Sequence, residues 1–76
     1  MRKPDEIALY AYMRNEAAIH TTANTNNAAS ALGIDNKRAH DLVEKWRDHW
    51  WCDGVSTRCV YFLPEAPNLL LPWGVQ

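Results

Sequence analysis

Nothing in this 76-residue chain is apolar for long: no run reaches the eighteen or so residues that a helix needs to cross a bilayer. The opening, MRKPDEIALYAYM, puts Asp5 and Glu6 where a signal peptide would carry its apolar region, so a cytoplasmic location is the expectation. A basic excess is missing too. Eight Lys and Arg stand against nine Asp and Glu, giving a net charge of −1 and a pI near 6.2. That balance counts against a nucleic-acid partner, because affinity for a polyanion comes largely from phosphate contacts. There is no glycine-rich phosphate loop and no serine or cysteine nucleophile motif. The carboxylates lie along polar helix faces without apolar burial to shift their pKa, and so short a chain leaves little room for a substrate pocket. An enzyme is not expected, nor a cofactor.

What is present is a soluble globular composition, 47% hydrophobic with a mean hydropathy of −0.43. Seventy-six residues make one domain with a thin core. Four Trp and three Tyr compensate in part, since aromatic side chains bury the most area per residue.

The most informative stretch is Thr25 to Trp46, TNNAASALGIDNKRAHDLVEKW. Ala28, Ala29 and Leu32 form the apolar side of a short helix, and Ala39, Leu42, Val43 and Trp46 recur at i, i+3, i+4 and i+7 in a second from about Asn36 to Asp48. Between them Gly33 can take a positive φ, Ile34 can plug the angle between the helices, and Asp35 can cap the second. Thr25 reads as the cap of the first. Upstream, a helix from about Pro4 to Ile19 is expected: Pro4 suits a first turn, and Asp5 and Glu6 complement the positive end of the helix dipole. Its apolar residues split into one face with Ile7, Tyr10, Ala11 and Ala18 and another with Leu9, Tyr12 and Met13. The helix is therefore either the well-covered centre of a small bundle or one with a dimerising face. HTTAN after it fits a short extended piece, with His20 solvated.

Ala29, Gly33 four positions later, Ile34, Ala39 and Leu42 together resemble the helix-turn-helix of bacterial, archaeal and phage DNA-binding proteins. Two helices crossing steeply on a short turn need a small residue where they touch and a glycine where the chain reverses. After the second helix, HWWCDGVSTRCVYFLPEAP has two strand-like runs flanking Asp53-Gly54, a tight-turn signal. A hairpin at that place is similar to the wing of the winged helix-turn-helix family, and the resemblance then covers about Ile7 to Leu63. It implies an α+β fold, mainly α: three helices, a β-hairpin wing and an extended tail, with residues 1–63 as the domain and 64–76 as a proline-rich apolar tail.

The same resemblance implies sequence-specific binding of double-stranded DNA by a small transcriptional regulator, with the second helix of the motif in the major groove. Helical geometry turns Lys37, Arg38, His40, Asp41, Glu44 and Lys45 outward. Arg38 and Lys37 would reach guanine edges or phosphates, Asn36 an adenine or the backbone, and His40 either. Thr25, Asn26 and Asn27 would hold a phosphate at a helix N-terminus, and Arg58 on the wing would grip the backbone or the minor groove. Local cations at Lys37, Arg38, Lys45, Arg47 and Arg58 are interleaved with Asp41, Glu44, Asp48 and Asp53. An alternative for the same face is a solvated row of charges held by i,i+4 pairs such as Asp41 with Lys45. A homodimer is expected, since one module reads too few base pairs.

Trp50 and Trp51, adjacent in a strand, would point to opposite sides, one sealing the core against Trp46 and the other outside as a contact for a ligand or protein. Cys52 and Cys59, on the two arms of the hairpin, could face each other, although two reduced thiols are the expectation in a cytoplasmic protein. A zinc site from His49, Cys52 and Cys59 has a spacing that matches no common module and lacks a fourth ligand, so no metal is expected. In the tail, Pro64, Pro67 and Pro72 exclude a continuous helix, yet Leu69, Leu70, Leu71, Trp73 and Val75 are too apolar for a solvated linker. It either packs back over the first helix, which is favoured, or reaches into a partner. The competing function is accordingly a winged-helix module that binds protein through Trp50, Trp51, Leu70 and Trp73, as an assembly subunit or small inhibitor of a nucleic-acid-processing complex.

Overall fold

The computed structural model describes residues 4–68. Six elements follow in order: α1 (Pro4–His20), β1 (Ala23–Asn24), α2 (Thr25–Leu32), α3 (Asn36–Asp48), β2 (Cys52–Ser56) and β3 (Cys59–Phe62). The fold is α+β and mainly helical. The strands form one antiparallel sheet in the order β1-β3-β2, with Ala23 opposite Val60 and Asn24 opposite Cys59 on one side of β3, and Cys52 opposite Phe62 on the other.

α1 buries Glu6, Leu9, Tyr10 and Met13, an i, i+3, i+4, i+7 stripe, and touches α2, α3, β1 and β3. The buried stripe takes Tyr10 from one of the two expected faces and Leu9 and Met13 from the other, and Ala11 and Ala18 are exposed. Against that stripe pack Ala28 and Ala29 from α2, Ala39, Leu42, Val43 and Trp46 from α3, and Cys52 and Val60 from the hairpin. Trp46 is the largest buried side chain, and Tyr10 meets it edge-on at 5.1 Å while also meeting Phe62 at 5.5 Å.

The corner between α2 and α3 is built as the residues suggest. Gly33 is left-handed at φ 68°, its N–H reaches the Ser30 carbonyl and that of Ile34 the Ala29 carbonyl, so the last carbonyls of α2 are satisfied. Asp35 caps α3 by accepting from the Arg38 N–H. The cap of α2 is Asn24, not Thr25: its side chain accepts from the Asn27 N–H at 2.9 Å. Pairing with β3 keeps Asn24 extended, which a cap requires, and moves Thr25 into the helix.

α3 ends with the same hydrogen-bond pattern as α2, Trp50 N–H to Arg47 and Trp51 N–H to Trp46, and Trp50 takes the left-handed position at φ 63°. Trp50 and Trp51 thus lie in the turn before β2 rather than in a strand. Trp51 is half-buried, stacked on His49 at 4.8 Å and edge-on to Tyr10 at 6.0 Å, while Trp50 projects outward.

The hairpin does not turn at Asp53-Gly54. Both residues belong to β2, which carries an irregularity between Asp53 and Ser56, and the chain reverses at Thr57-Arg58. Gly54 serves close approach instead: a Cβ there would strike the Cys59 carbonyl oxygen and lie 3.2 Å from the Val60 Cα. Cys52 is buried and Cys59 exposed; both are free, and the register pairs Cys59 with Ser56 rather than with Cys52.

Past β3 the chain crosses back to α1. Ala66 is buried, the Tyr10 hydroxyl donates to the Pro67 carbonyl, and Arg14 donates to the Asn68 side chain at 3.2 Å. The apolar tail residues from Leu69 onward, including Leu70 and Trp73, lie outside the described residues. Among the described residues no helix is long and apolar enough to cross a membrane.

Candidate functional site

One polar knot gathers three parts of the fold. His40, on the outer side of α3, has Nε2 at 2.7 Å from the Asn26 side-chain oxygen and Nδ1 at 2.8 Å from the Thr57 hydroxyl. A carbonyl oxygen only accepts, so this arrangement puts a proton on Nε2. Asn26 belongs to the first turn of α2 and Thr57 to the hairpin turn. Beside them Thr25 is fully buried; its hydroxyl donates to the Thr57 carbonyl and its N–H to the Arg58 carbonyl at 2.8 Å. The start of α2, the outward side of α3 and the tip of the hairpin therefore share one side of the molecule. The pairing of β1 with β3 runs up to Cys59, so the hairpin turn stands level with the start of α2 rather than projecting beyond it.

The expected contact residues divide by how they are held. Asn27, Asn36, Lys37, Asp41 and Arg58 are exposed on that side. Lys37 and Asp41 form an i,i+4 pair at 3.1 Å with both side chains largely in water, so the partner of Asp41 is Lys37 and not Lys45. Thr25, Asn26 and His40 are spent on internal hydrogen bonds and act as fasteners.

Two of the expected cations turn back into the fold. Arg38 reaches α1, its Nε 3.0 Å from the Asp5 carboxylate. That hydrogen bond draws the Asp5 pKa below the usual carboxylate value and raises that of Arg38. Lys45 lies 3.1 Å from Glu6, a carboxylate only 3% exposed that also accepts from the Trp46 indole N–H at 3.1 Å. Arg47, the remaining cation of α3, lies 3.8 Å from Asp53. In the other direction, Glu44 and Asp48 are exposed with no partner among the described residues.

Asp5 and Glu6 are thus the residues that decide which α3 cations stay available, a role their place at a helix N-terminus does not disclose. Periodicity reports which residues share a helix face; it is silent on pairs 33 or 39 positions apart. Thr57 was hidden for the same reason, since its part depends on where the hairpin turns.

Among the described residues no group of three or more His, Cys, Asp or Glu could hold a metal ion. The Cys52 thiol is pushed up to about 12 by burial and is a core side chain rather than a nucleophile. No family model matches the chain, and neither does any curated protein or solved structure.

Proposed function

We propose that this chain is a winged helix-turn-helix domain that binds double-stranded DNA sequence-specifically, as a small homodimeric regulator of transcription. The observation that carries the reading is the knot at His40. It brings to one side the three parts that such a domain applies to a duplex: the start of α2, the outward side of α3, and the hairpin turn. The sheet order β1-β3-β2 and the left-handed Gly33 between α2 and α3 support the same layout.

In this reading the first turns of α3 enter the major groove. Asn36 offers a side-chain amide with the donor and acceptor that adenine matches, and Lys37 offers a cation to guanine or phosphate. Asn27 and Arg58 flank the groove and hold the backbone, fixing register without reading bases. His40, Asn26 and Thr25 keep the three parts in position and touch no base. With Arg38, Lys45 and Arg47 held by carboxylates, a single protomer has few cations for phosphates, and two protomers on a palindrome make up the affinity.

Selection of bound duplexes from a random-sequence pool tests this directly. Enrichment of a palindrome with half-sites about 10 base pairs apart is the expected result. An unenriched pool, with binding that fades uniformly as salt rises, would overturn it and favour a protein partner.

A further inference from the structure

Trp50 stands where helix geometry asks for glycine. α2 and α3 end with the same pair of hydrogen bonds, and each needs a left-handed residue at the reversal. α2 uses Gly33, at φ 68°, and α3 uses Trp50, at φ 63°. A bulky side chain in that region is an outlier and strained. Packing does not explain the choice, because Trp50 is 67% exposed and its indole N–H has no partner among the described residues. The helix stop would be better served by glycine, so the indole is retained for something outside the fold.

Its surroundings say what. Trp50 lines an open hollow of about 310 Å³ together with Glu44, Arg47, Asp48 and Asp53. Arg47 is occupied, 3.8 Å from Asp53 and with its guanidinium on the Gly54 carbonyl at 3.5 Å, while the Glu44 and Asp48 carboxylates that share the hollow with the indole have no cation partner among the described residues. β2, which contributes Asp53, is an edge strand and carries Val55 fully exposed. An indole face attracts cations, guanidinium above all, and the carboxylates add charge complementarity. Such a surface repels phosphate. Its α3 residues begin at Glu44, one turn beyond His40, and end at Asp48, whereas Asn36 and Lys37 lie in the first turn of the helix.

We propose that this hollow docks a basic segment of a partner protein, one arginine side chain lying over the Trp50 ring between Glu44 and Asp48 with apolar neighbours along the β2 edge. The inference is independent of duplex binding, since it uses none of the residues assigned to that role.

The test uses the full chain and a fluorescently labelled peptide in which arginine alternates with leucine, read by anisotropy. A second peptide carries citrulline for every arginine, which keeps shape and removes charge. The wild-type chain is expected to bind the arginine peptide saturably and the citrulline peptide at least about tenfold more weakly. Trp50→Gly is expected to lose about tenfold in affinity while its melting temperature stays level or rises, because the strain is relieved. Trp50→Phe retains part of the binding, and Glu44→Gln with Asp48→Asn weakens it and flattens its salt dependence. Three results would each overturn the proposal: no saturable binding of the arginine peptide, equal binding of both peptides, or undiminished binding by Trp50→Gly. So would a loss of duplex affinity in Trp50→Gly, which would assign the indole to nucleic acid instead.

Discussion

Glu6 and Lys45 give the sharpest test of how the charges of α3 are disposed. The Glu6 carboxylate is buried, and it accepts from the Trp46 indole N–H at 3.1 Å and lies 3.1 Å from the Lys45 ammonium. Lys45→Met keeps the apolar stem and removes the Lys45 charge from beside the Glu6 carboxylate. An uncompensated buried charge costs about 3–5 kcal/mol when wholly enclosed. Because the Lys45 side chain is 45% exposed, water reaches that edge of the pair and brings the loss below that range, to about 2–3 kcal/mol. Glu6→Gln removes the charge but keeps an acceptor for the indole, for a loss of about 1 kcal/mol. The double variant should resemble Glu6→Gln alone, since a neutral amide needs no cation, leaving a coupling of about 2 kcal/mol. Urea unfolding at neutral pH measures all three, and in melting temperature Lys45→Met should fall below the double variant by roughly 4–16 °C. Strict additivity would refute the reasoning. It would mean that Glu6 does not need Lys45, and Lys45 would rejoin the cations available to a phosphate.

Three further outcomes follow from other parts of the fold. Gly54→Ala should cost about 2–3 kcal/mol, because the new methyl meets backbone that cannot move aside, whereas Gly33→Ala, with open space around it, should cost only the strain of its positive φ, about 1 kcal/mol; paired chemical melts compare them. Folding holds the Cys52 proton up to about 12 against an ordinary 9.0, so its share of stability is full below pH 9.0 and drains away between 9.0 and about 12. Cys52→Ala should flatten that alkaline limb, and in the native wild type only Cys59 should react quickly with iodoacetamide. If Lys37 and Arg58 are the main phosphate contacts, log K for duplex DNA against log salt should slope at about −1.8 per protomer, Arg58→Ala should remove about 0.9, and Asp5→Asn, by releasing Arg38, should add about as much; a much steeper wild-type slope would contradict the sequestration of Arg38 and Lys45.

The helices and the corner between α2 and α3 were legible because each rests on local rules. The 3.6-residue spacing of Ala39, Leu42, Val43 and Trp46, the left-handed Gly33 and the Asp35 cap involve residues within a few positions of each other. Errors begin where partners are distant. Asn24 displaced Thr25 as the cap because β1 pairs with β3, some 36 residues on. Asp53-Gly54 has a turn's composition but lies within β2, where a side chain at Gly54 would strike the β3 backbone, and the reversal passes to Thr57-Arg58, where the Ser56 hydroxyl accepts from the Arg58 N–H at 3.1 Å. For the candidate site, the outward residues of α3 could be read from helix phase, but not which of them the first helix would claim. Asp5 and Glu6 look like ordinary dipole partners until the tertiary packing sets them against Arg38 and Lys45.

One side of α3 holds the molecule together through Ala39, Leu42, Val43 and Trp46 in the core and Arg38 and Lys45 against α1, while Asn36, Lys37, Asp41 and Glu44 hold up nothing else beyond a solvated pair. Substitutions on the outward row therefore leave stability nearly untouched, within about 0.5 kcal/mol. A lineage carrying this chain is free to drift there, and to rewrite what the surface recognises, without passing through unfolded intermediates. Divergence among descendants should concentrate at those four positions while the inward row stays fixed, and a library randomised at the same four should remain almost wholly folded.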